Sequence, residues 1–227
     1  MIATLLFAVF IITMMLGVPI GASLGLAGAA AIALANAEAP WFGLLAVPQN
    51  FYAGLGKYPL LAIPMFVLVG SIFDRSGVAL RLVNFAIALV GRGPGMLPLV
   101  AICVAMFLGG ISGSGPANAA AVGAVMIAAM NRAGYPASYS ASVVGAAAAT
   151  DILIPPSVAF IVYSVLVPGA SVPALFAAGM IPGVLAGIAL IVPAVWMARK
   201  HGMGHLESSL PRPPLLKSFV EAIWGLA

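Results

Sequence analysis

Two short stretches set several polar groups close together inside otherwise apolar sequence. The first is Gly109-Gly110-Ile111-Ser112-Gly113-Ser114-Gly115-Pro116-Ala117-Asn118. The second is Thr150-Asp151-Ile152-Leu153-Ile154-Pro155-Pro156-Ser157. Serine hydroxyls, the Asn118 carboxamide and carbonyls loosened by prolines are hard oxygen ligands that suit a small cation. Discontinuous helices are how secondary transporters build such sites, with carbonyls on Na⁺ and half-helix N-termini facing anionic substrates. Asp151 falls inside an apolar segment, where a carboxylate is costly and marks a functional position by default. Pro116 is placed to begin a helix, since proline is tolerated in the first turn. That helix would present its positive dipole end to an anion. The competing reading is that both interruptions are kinks held by their neighbours, but kinks seldom need so many polar groups.

Other chemistries lack parts. Gly110-Ile111-Ser112-Gly113 matches the Gly-x-Ser-Gly pattern of intramembrane serine proteases, and a serine nucleophile needs a base within hydrogen-bond reach. The two histidines, His201 and His205, lie in a polar connector, and no lysine falls in a membrane segment near the site. The chain is therefore not read as an enzyme. His201-Gly202-Met203-Gly204-His205 spaces two histidines four apart, but two glycines weaken any helix and no third ligand is evident. A solvated basic loop is the expectation there. Met126 and Met130 recur on one helical face and read as packing.

The elements that position these groups follow from composition. The chain of 227 residues is 63% hydrophobic and 6% charged, with a mean hydropathy of +1.20, so lipid is its solvent. The net charge of +4 sets nine basic residues against five acidic ones, and the basic residues are scattered, make no nucleic-acid patch and read as cytoplasmic loop anchors. Cys103 is the one cysteine, which excludes an intrachain disulfide, and it is expected to be a small buried hydrophobe. Two hydrophobic arms, Met96 to Leu108 and Ala119 to Met130, flank the first polar stretch. Each arm with its share of the turn has roughly fifteen residues, about 22 Å of helix against a hydrocarbon core of about 30 Å. The polar tip cannot face lipid, so it must be buried in protein or line a cavity. Arg92 precedes the first arm and Arg132 follows the second, and the positive-inside rule places both on the cytoplasmic side. The reading is a re-entrant hairpin opening to the cytoplasm.

The rest of the chain supplies the frame. Ile2 to Ala35 is a retained membrane segment, too long and too poor in basic residues for a signal peptide, with a kink expected at Gly17-Val18-Pro19. Gly17, Gly21 and Gly25, and later Gly179, Gly183 and Gly187, repeat at a spacing that admits close helix packing. Trp41 to Tyr58 is rich in aromatics and is expected at the interface, followed by an apolar helix from Pro59 to Phe73 and an interfacial helix over Leu82 to Val90. Ala137 to Val167 should break at Pro155-Pro156, and Ala174 to Ala198 should return to Arg199-Lys200-His201. The divisions expected are 1–95 as scaffold-type helices and interfacial segments, 96–131 as the re-entrant hairpin, 132–200 as the broken helix and following transmembrane helix, and 201–227 as a cytoplasmic connector leading to a missing second half. The apolar ending Trp224-Gly225-Leu226-Ala227 reads as an interruption rather than a natural terminus.

Ser112-Gly113-Ser114 with Asn118, then Gly134-Tyr135, Ile154-Pro155-Pro156-Ser157 and Phe176-Ala177-Ala178-Gly179-Met180-Ile181-Pro182-Gly183, closely resemble the DctM family. Leu61-Ala62-Ile63-Pro64-Met65-Phe66 and Arg81-Leu82-Val83 also look like that family, the large membrane subunit of TRAP (tripartite ATP-independent periplasmic) transporters. The resemblance implies an all-α polytopic inner-membrane protein, one repeat of an inverted-repeat, elevator-type permease with a re-entrant hairpin and a broken transmembrane helix. It implies Na⁺-coupled uptake of a small organic anion such as a C4-dicarboxylate, with Na⁺ as coupling ion and no other cofactor. The implied partners are a small TRAP membrane subunit, a periplasmic substrate-binding protein, the missing C-terminal half of the permease and the lipid bilayer, with no nucleic acid. Carried over by motif, Ser112, Gly113, Ser114, Asn118, Thr150 and Asp151 would bind Na⁺. Ser114, Gly115, Pro116, Asn118, Pro155, Pro156 and Ser157 would face the substrate. Thr150-Asp151 departs from the small, uncharged residues usual before the double proline and leaves a proton-sensitive element open. Two other readings stand beside this one: a non-transporting membrane partner or remnant, and a dicarboxylate/Na⁺ symporter of another family.

Overall fold

The structure, a computed structural model, describes residues 2–38, 40–90, 93–209 and 213–226. Arg92, on which part of the charge placement rests, and Ala227 lie outside the described residues. The described residues form helices joined by turns, with no strand among them, and the chain divides into two compact units, Met1–Tyr58 and Pro59–Ala227.

The first unit contains α1 (Ile2–Met15), α2 (Ile20–Ala35), α3 (Pro40–Leu44) and α4 (Ala46–Leu55). The long apolar run is two helices rather than one kinked helix. Gly17 takes a left-handed backbone, φ 82°, that ends α1, and Pro19, lacking an N–H, stands at the N-cap of α2. The face of α2 buried here carries Ser23, Ala27 and Ala31. Gly17, Gly21 and Gly25 have no neighbour within 4 Å of a would-be Cβ, so the expected glycine packing is not found in this segment.

The second unit holds the polar stretches. Its helices are α5 (Ala62–Ser76), α6 (Val78–Leu89), α7 (Met96–Ser112), α8 (Gly115–Arg132), α9 (Ala137–Thr150), α10 (Val158–Leu166), α11 (Val172–Lys200) and α12 (Leu215–Leu226). α7 is the hub, packing against α8, α9 and α11, with Val100, Ala101, Ile102, Val122, Met126 and Met130 at the centre. The methionines are packing residues, as expected. Cys103 is exposed, not buried. It stands on the outer side of α7 near Phe107, where an apolar side chain in a lipid-solvated protein has no reason to hide.

Among the described residues α11 is the helix long and apolar enough to cross a membrane by itself. Its glycines meet the expectation of close approach. A Cβ on Gly179 would fall 2.6 Å from the Leu153 carbonyl oxygen, one on Gly183 would fall 2.7 Å from Ile154, and one on Gly187 would strike the Met106 sulfur. These contacts seat α11 against the break between α9 and α10 and against α7.

The connector after α11 is solvated only in part: His201, Gly202 and His205 are exposed as expected, but the segment is also tied to the loop after α8. Gly204 and Glu207 are buried, the Gly204 and Leu206 N–H groups donate to the Gly134 and Ala133 carbonyls, and the His205 ring covers Gly134. Beyond it, α12 lies on α6 with Phe85 and Phe219 in ring contact at 5.6 Å.

Candidate ion and anion site at the hairpin tip

The first polar stretch is far more helical than a ten-residue interruption. α7 runs on through Gly109-Gly110-Ile111-Ser112, and α8 resumes at Gly115, leaving Gly113 and Ser114 as the turn. Gly113 caps α7 with φ 62°, a conformation glycine reaches without the clash a Cβ brings. Pro116 sits in the first turn of α8, where its missing N–H costs nothing, so the helix start is where the sequence put it. The arms are therefore 17 and 18 residues long, about 26 and 27 Å, closer to a full span than the sequence reading gave.

The second stretch opens as expected. α9 ends at Thr150 and α10 begins at Val158. In a continuous helix the N–H groups of residues 155 and 156 would donate to the carbonyls of 151 and 152, and prolines have none to give. Ser157 compensates in part: its Oγ donates to the Ile152 carbonyl at 2.6 Å and accepts from the Phe160 N–H as the N-cap of α10.

Turn and break meet directly. A Cβ on Gly113 would fall 2.5 Å from the Pro156 carbonyl oxygen, and one on Gly115 would fall 2.7 Å from that of Ala148. A Cβ on Gly110 would lie 3.4 Å from both Ile154 and the Pro155 carbonyl oxygen. Asn118, on the first turn of α8, joins the two halves: its Nδ2 donates to Asp151 Oδ2 at 2.8 Å, and its Oδ1 accepts from Ser112 Oγ at 3.3 Å. The Ser114 N–H donates to Ser112 Oγ at 3.4 Å.

Asp151 is fully buried, and its Oδ1 has no hydrogen-bond partner. A buried acceptor left so is costly, and a buried carboxylate without a counter-charge is far more so. Gly109 makes the room: a Cβ there would lie 2.5 Å from Oδ1. An orphaned carboxylate oxygen, a hydroxyl, a carboxamide oxygen and nearby carbonyls form an all-oxygen donor set, and these residues fit a small hard cation.

The other sequence-predicted residues fall into place around this centre. Thr150 Oγ1 donates its proton to its own helix at the Ala147 carbonyl, 2.7 Å away, which leaves the oxygen's lone pairs as acceptors. Ser157 is buried in its capping role. Pro116 is exposed, and Pro155 and Pro156 are half-buried beside the tip. Ser114 is the N-cap of α8 but makes no side-chain capping bond, leaving first-turn N–H groups for another acceptor. Gly109 was not among the residues expected at the site; its signal was a Gly-Gly pair inside an apolar helix. His205 packs at the opposite end of α8, about 27 Å from the tip serines by helix rise. His201 Nδ1 lies 3.0 Å from the Met197 carbonyl.

A second buried polar cluster escaped the sequence reading. Glu207 Oε1 accepts from the Leu97 N–H at 3.1 Å, and Oε2 accepts from Tyr135 Oη at 2.6 Å. Tyr135 Oη in turn accepts from the Gly95 N–H at 2.7 Å. A connector carboxylate thus caps the N-terminus of α7 from 110 residues away, where Gly95 offers no side chain.

The sequence that builds this helical hairpin and the break facing it matches a known family. The family model described as "Tripartite ATP-independent periplasmic transporter, DctM component" matches residues 7–227. The chain belongs to the DctM family. It is 38% identical over 219 residues to the isethionate TRAP transporter permease protein DctMQ of Oleidesulfovibrio alaskensis, covering 96% of this chain and 33% of that protein. It is 39% identical to the C4-dicarboxylate TRAP transporter large permease protein DctM of Vibrio cholerae, covering 100% of this chain and 49% of the relative. It is also 42% identical to the uncharacterized protein YgiK of Salmonella typhimurium, over 86% of this chain and 45% of that one. The chain thus spans about a third to a half of these DctM relatives. The family is one of transporter permeases, which is not an enzyme class.

Proposed function

We propose that this chain forms one half of the large permease subunit of a TRAP transporter and contributes a Na⁺ site and one wall of an organic-anion site. In this reading α7 and α8 are a re-entrant hairpin, α9 and α10 one broken membrane helix, and the two carry the site in an elevator movement. Ser112, Gly113, Ser114, Asn118, Thr150 and Asp151 form the ion side, with Gly109 giving Asp151 its room. Ser114, Gly115, Pro116, Pro155, Pro156 and Ser157 form the substrate side, where the uncapped start of α8 favours an anion. Asn118, bonded at both ends of its carboxamide, serves the ion side more than the substrate. A small membrane subunit, a periplasmic binding protein and the remaining half of the permease complete the machine in the bacterial inner membrane, with the N-terminus cytoplasmic. Relatives named for isethionate and C4-dicarboxylates support an anionic substrate and leave its identity to the other half and the binding protein.

The observation that carries this reading is the buried, partnerless Asp151 Oδ1 beside a second helix break. A bound Na⁺ supplies the missing counter-charge and stabilises the folded state by mass action. Thermal melts of the chain in nanodiscs, with NaCl against choline chloride at equal ionic strength, test it. The expected result is a Na⁺-dependent rise in melting temperature that is lost in Asp151→Asn. A melting temperature indifferent to Na⁺, or a Na⁺ response that survives Asp151→Asn, sinks the ion site.

A further inference from the structure

At the end of α11 remote from the break, a cleft of about 680 Å³ opens between the last turns of α11 and the first turns of α7. Its walls are Met96 and Leu99 from α7 and Ile191, Val192 and Val195 from α11. Its rim holds Trp196, Arg199 and Lys200. We propose that this cleft binds an anionic phospholipid, with the headgroup phosphate held by Arg199 and Lys200 and the start of an acyl chain laid along the apolar walls.

Charge and depth both point to that occupant. α11 is long and apolar enough to cross a membrane, and Arg199 and Lys200 form its last turn, where a spanning helix would meet the headgroups. Val192, Val195, Trp196 and Arg199 recur at the spacing of one helical face, so the apolar wall runs about 10 Å below the cations, toward the bilayer interior. Basic residues over an apolar groove between membrane helices are complementary to an anionic lipid rather than to a neutral one or a free ion. The rim is also held in place. The Lys200 ammonium lies 4.5 Å from the centre of the Trp196 ring, and Arg199 donates to the Pro94 carbonyl at 3.4 Å through Nε, a bond that does not use its two outer nitrogens. Below, a Cβ on Gly95 would meet Val195 at 2.9 Å, and Tyr139 Oη donates to the Ala194 carbonyl, so α7 and α9 are both fixed to this part of α11. Glu207, the connector carboxylate that caps α7's first turn, is buried against Leu97 and Tyr135 and does not line the cleft.

Trp196 gives the site its own reporter. In a Trp41→Phe, Trp224→Phe background, Trp196 is the single tryptophan of the chain, which has three. The chain is reconstituted in phosphatidylcholine bilayers containing increasing fractions of brominated phosphatidylglycerol, or of brominated phosphatidylcholine as control. Saturable quenching at a several-fold lower fraction of the anionic lipid is expected. The preference should disappear in Arg199→Gln/Lys200→Gln and weaken in Lys200→Gln alone, which keeps the Pro94 bond. It should survive Lys217→Gln, an equal loss of charge on α12. Equal quenching by both lipids means ordinary annular contact and overturns the proposal. So does a preference that persists without Arg199 and Lys200, or quenching by neither lipid, which marks a cleft covered by protein. Inorganic phosphate that abolishes the preference at equal ionic strength also overturns it, since the apolar wall would then contribute nothing.

Discussion

Asp151 has one carboxylate oxygen bonded to Asn118 and the other bonded to nothing, and this asymmetry gives a prediction whose sign separates function from stability. Asparagine is nearly isosteric and its carbonyl oxygen still accepts from Asn118, while the uncompensated charge is gone. Asp151→Asn should therefore melt higher than the parent in Na⁺-free buffer, by roughly 1–3 kcal/mol of stability, even as it loses the Na⁺ response. A lower Na⁺-free stability than the parent would show that the carboxylate is satisfied by something other than a cation. Gly113 offers a purely steric counterpart. Alanine there meets both a left-handed backbone and the Pro156 carbonyl oxygen 2.5 Å from its Cβ, so Gly113→Ala should cost at least ~1–2 kcal/mol by chemical denaturation. The residues at the tip were legible as a set because serine, asparagine, aspartate and proline are conspicuous in apolar sequence. Gly109 was not, because its contribution is the side chain it lacks.

At the scale of elements, the contact between the connector and the hairpin base is the feature most exposed to test. Glu207 and Tyr135 close α7's N-terminus with charge-assisted bonds inside the protein, where such bonds are stronger than at a surface. Tyr135→Phe and Glu207→Gln should each destabilise by ~1–3 kcal/mol, and their double-mutant cycle should show coupling of similar size. Strict additivity would mean that the two side chains act independently. Burial pushes the Tyr135 phenol well above the usual tyrosine range, and its hydrogen bond to Glu207 adds to the rise. The folded state therefore holds the phenolic proton more tightly than the unfolded state does. Its contribution is fully present below about pH 10, the ordinary tyrosine value, and is lost as pH rises from there toward the folded value. The stability gap between parent and Tyr135→Phe should stay constant up to about pH 10 and shrink above it.

The whole molecule resolves into units at residue 58, within the aromatic-rich stretch. The core that seats the tip, the break and the connector clasp belongs entirely to residues 59–227. Lys57 stands exposed just before that boundary. Brief trypsin treatment in detergent should cut there early and leave a fragment beginning at Tyr58 that keeps the Na⁺-dependent melting shift of the uncut chain. Loss of that shift on cutting would show that residues 2–57 are needed to hold the site. The isethionate and C4-dicarboxylate relatives are about three and two times as long as this chain.

The sequence by itself determined the solvent, the helical class and the positions of the interruptions. Each of these rests on composition or on local backbone chemistry: prolines that cannot donate at 155 and 156, glycine that can turn at 113, proline that can begin a helix at 116. The close approach of α11 was legible too, since Gly179, Gly183 and Gly187 repeat on one helical face. The same pattern in α2 met nothing within its own unit, because spacing permits contact but does not supply the neighbour. Only the tertiary structure decided which groups meet. Asn118 reaches Asp151 across 33 residues and Glu207 reaches Leu97 across 110, and such pairings depend on how whole helices pack. Glu207 in a polar connector has every local mark of a solvated charge. Packing alone buried it, because the start of α7 had N–H groups to satisfy and no side chain of its own to satisfy them.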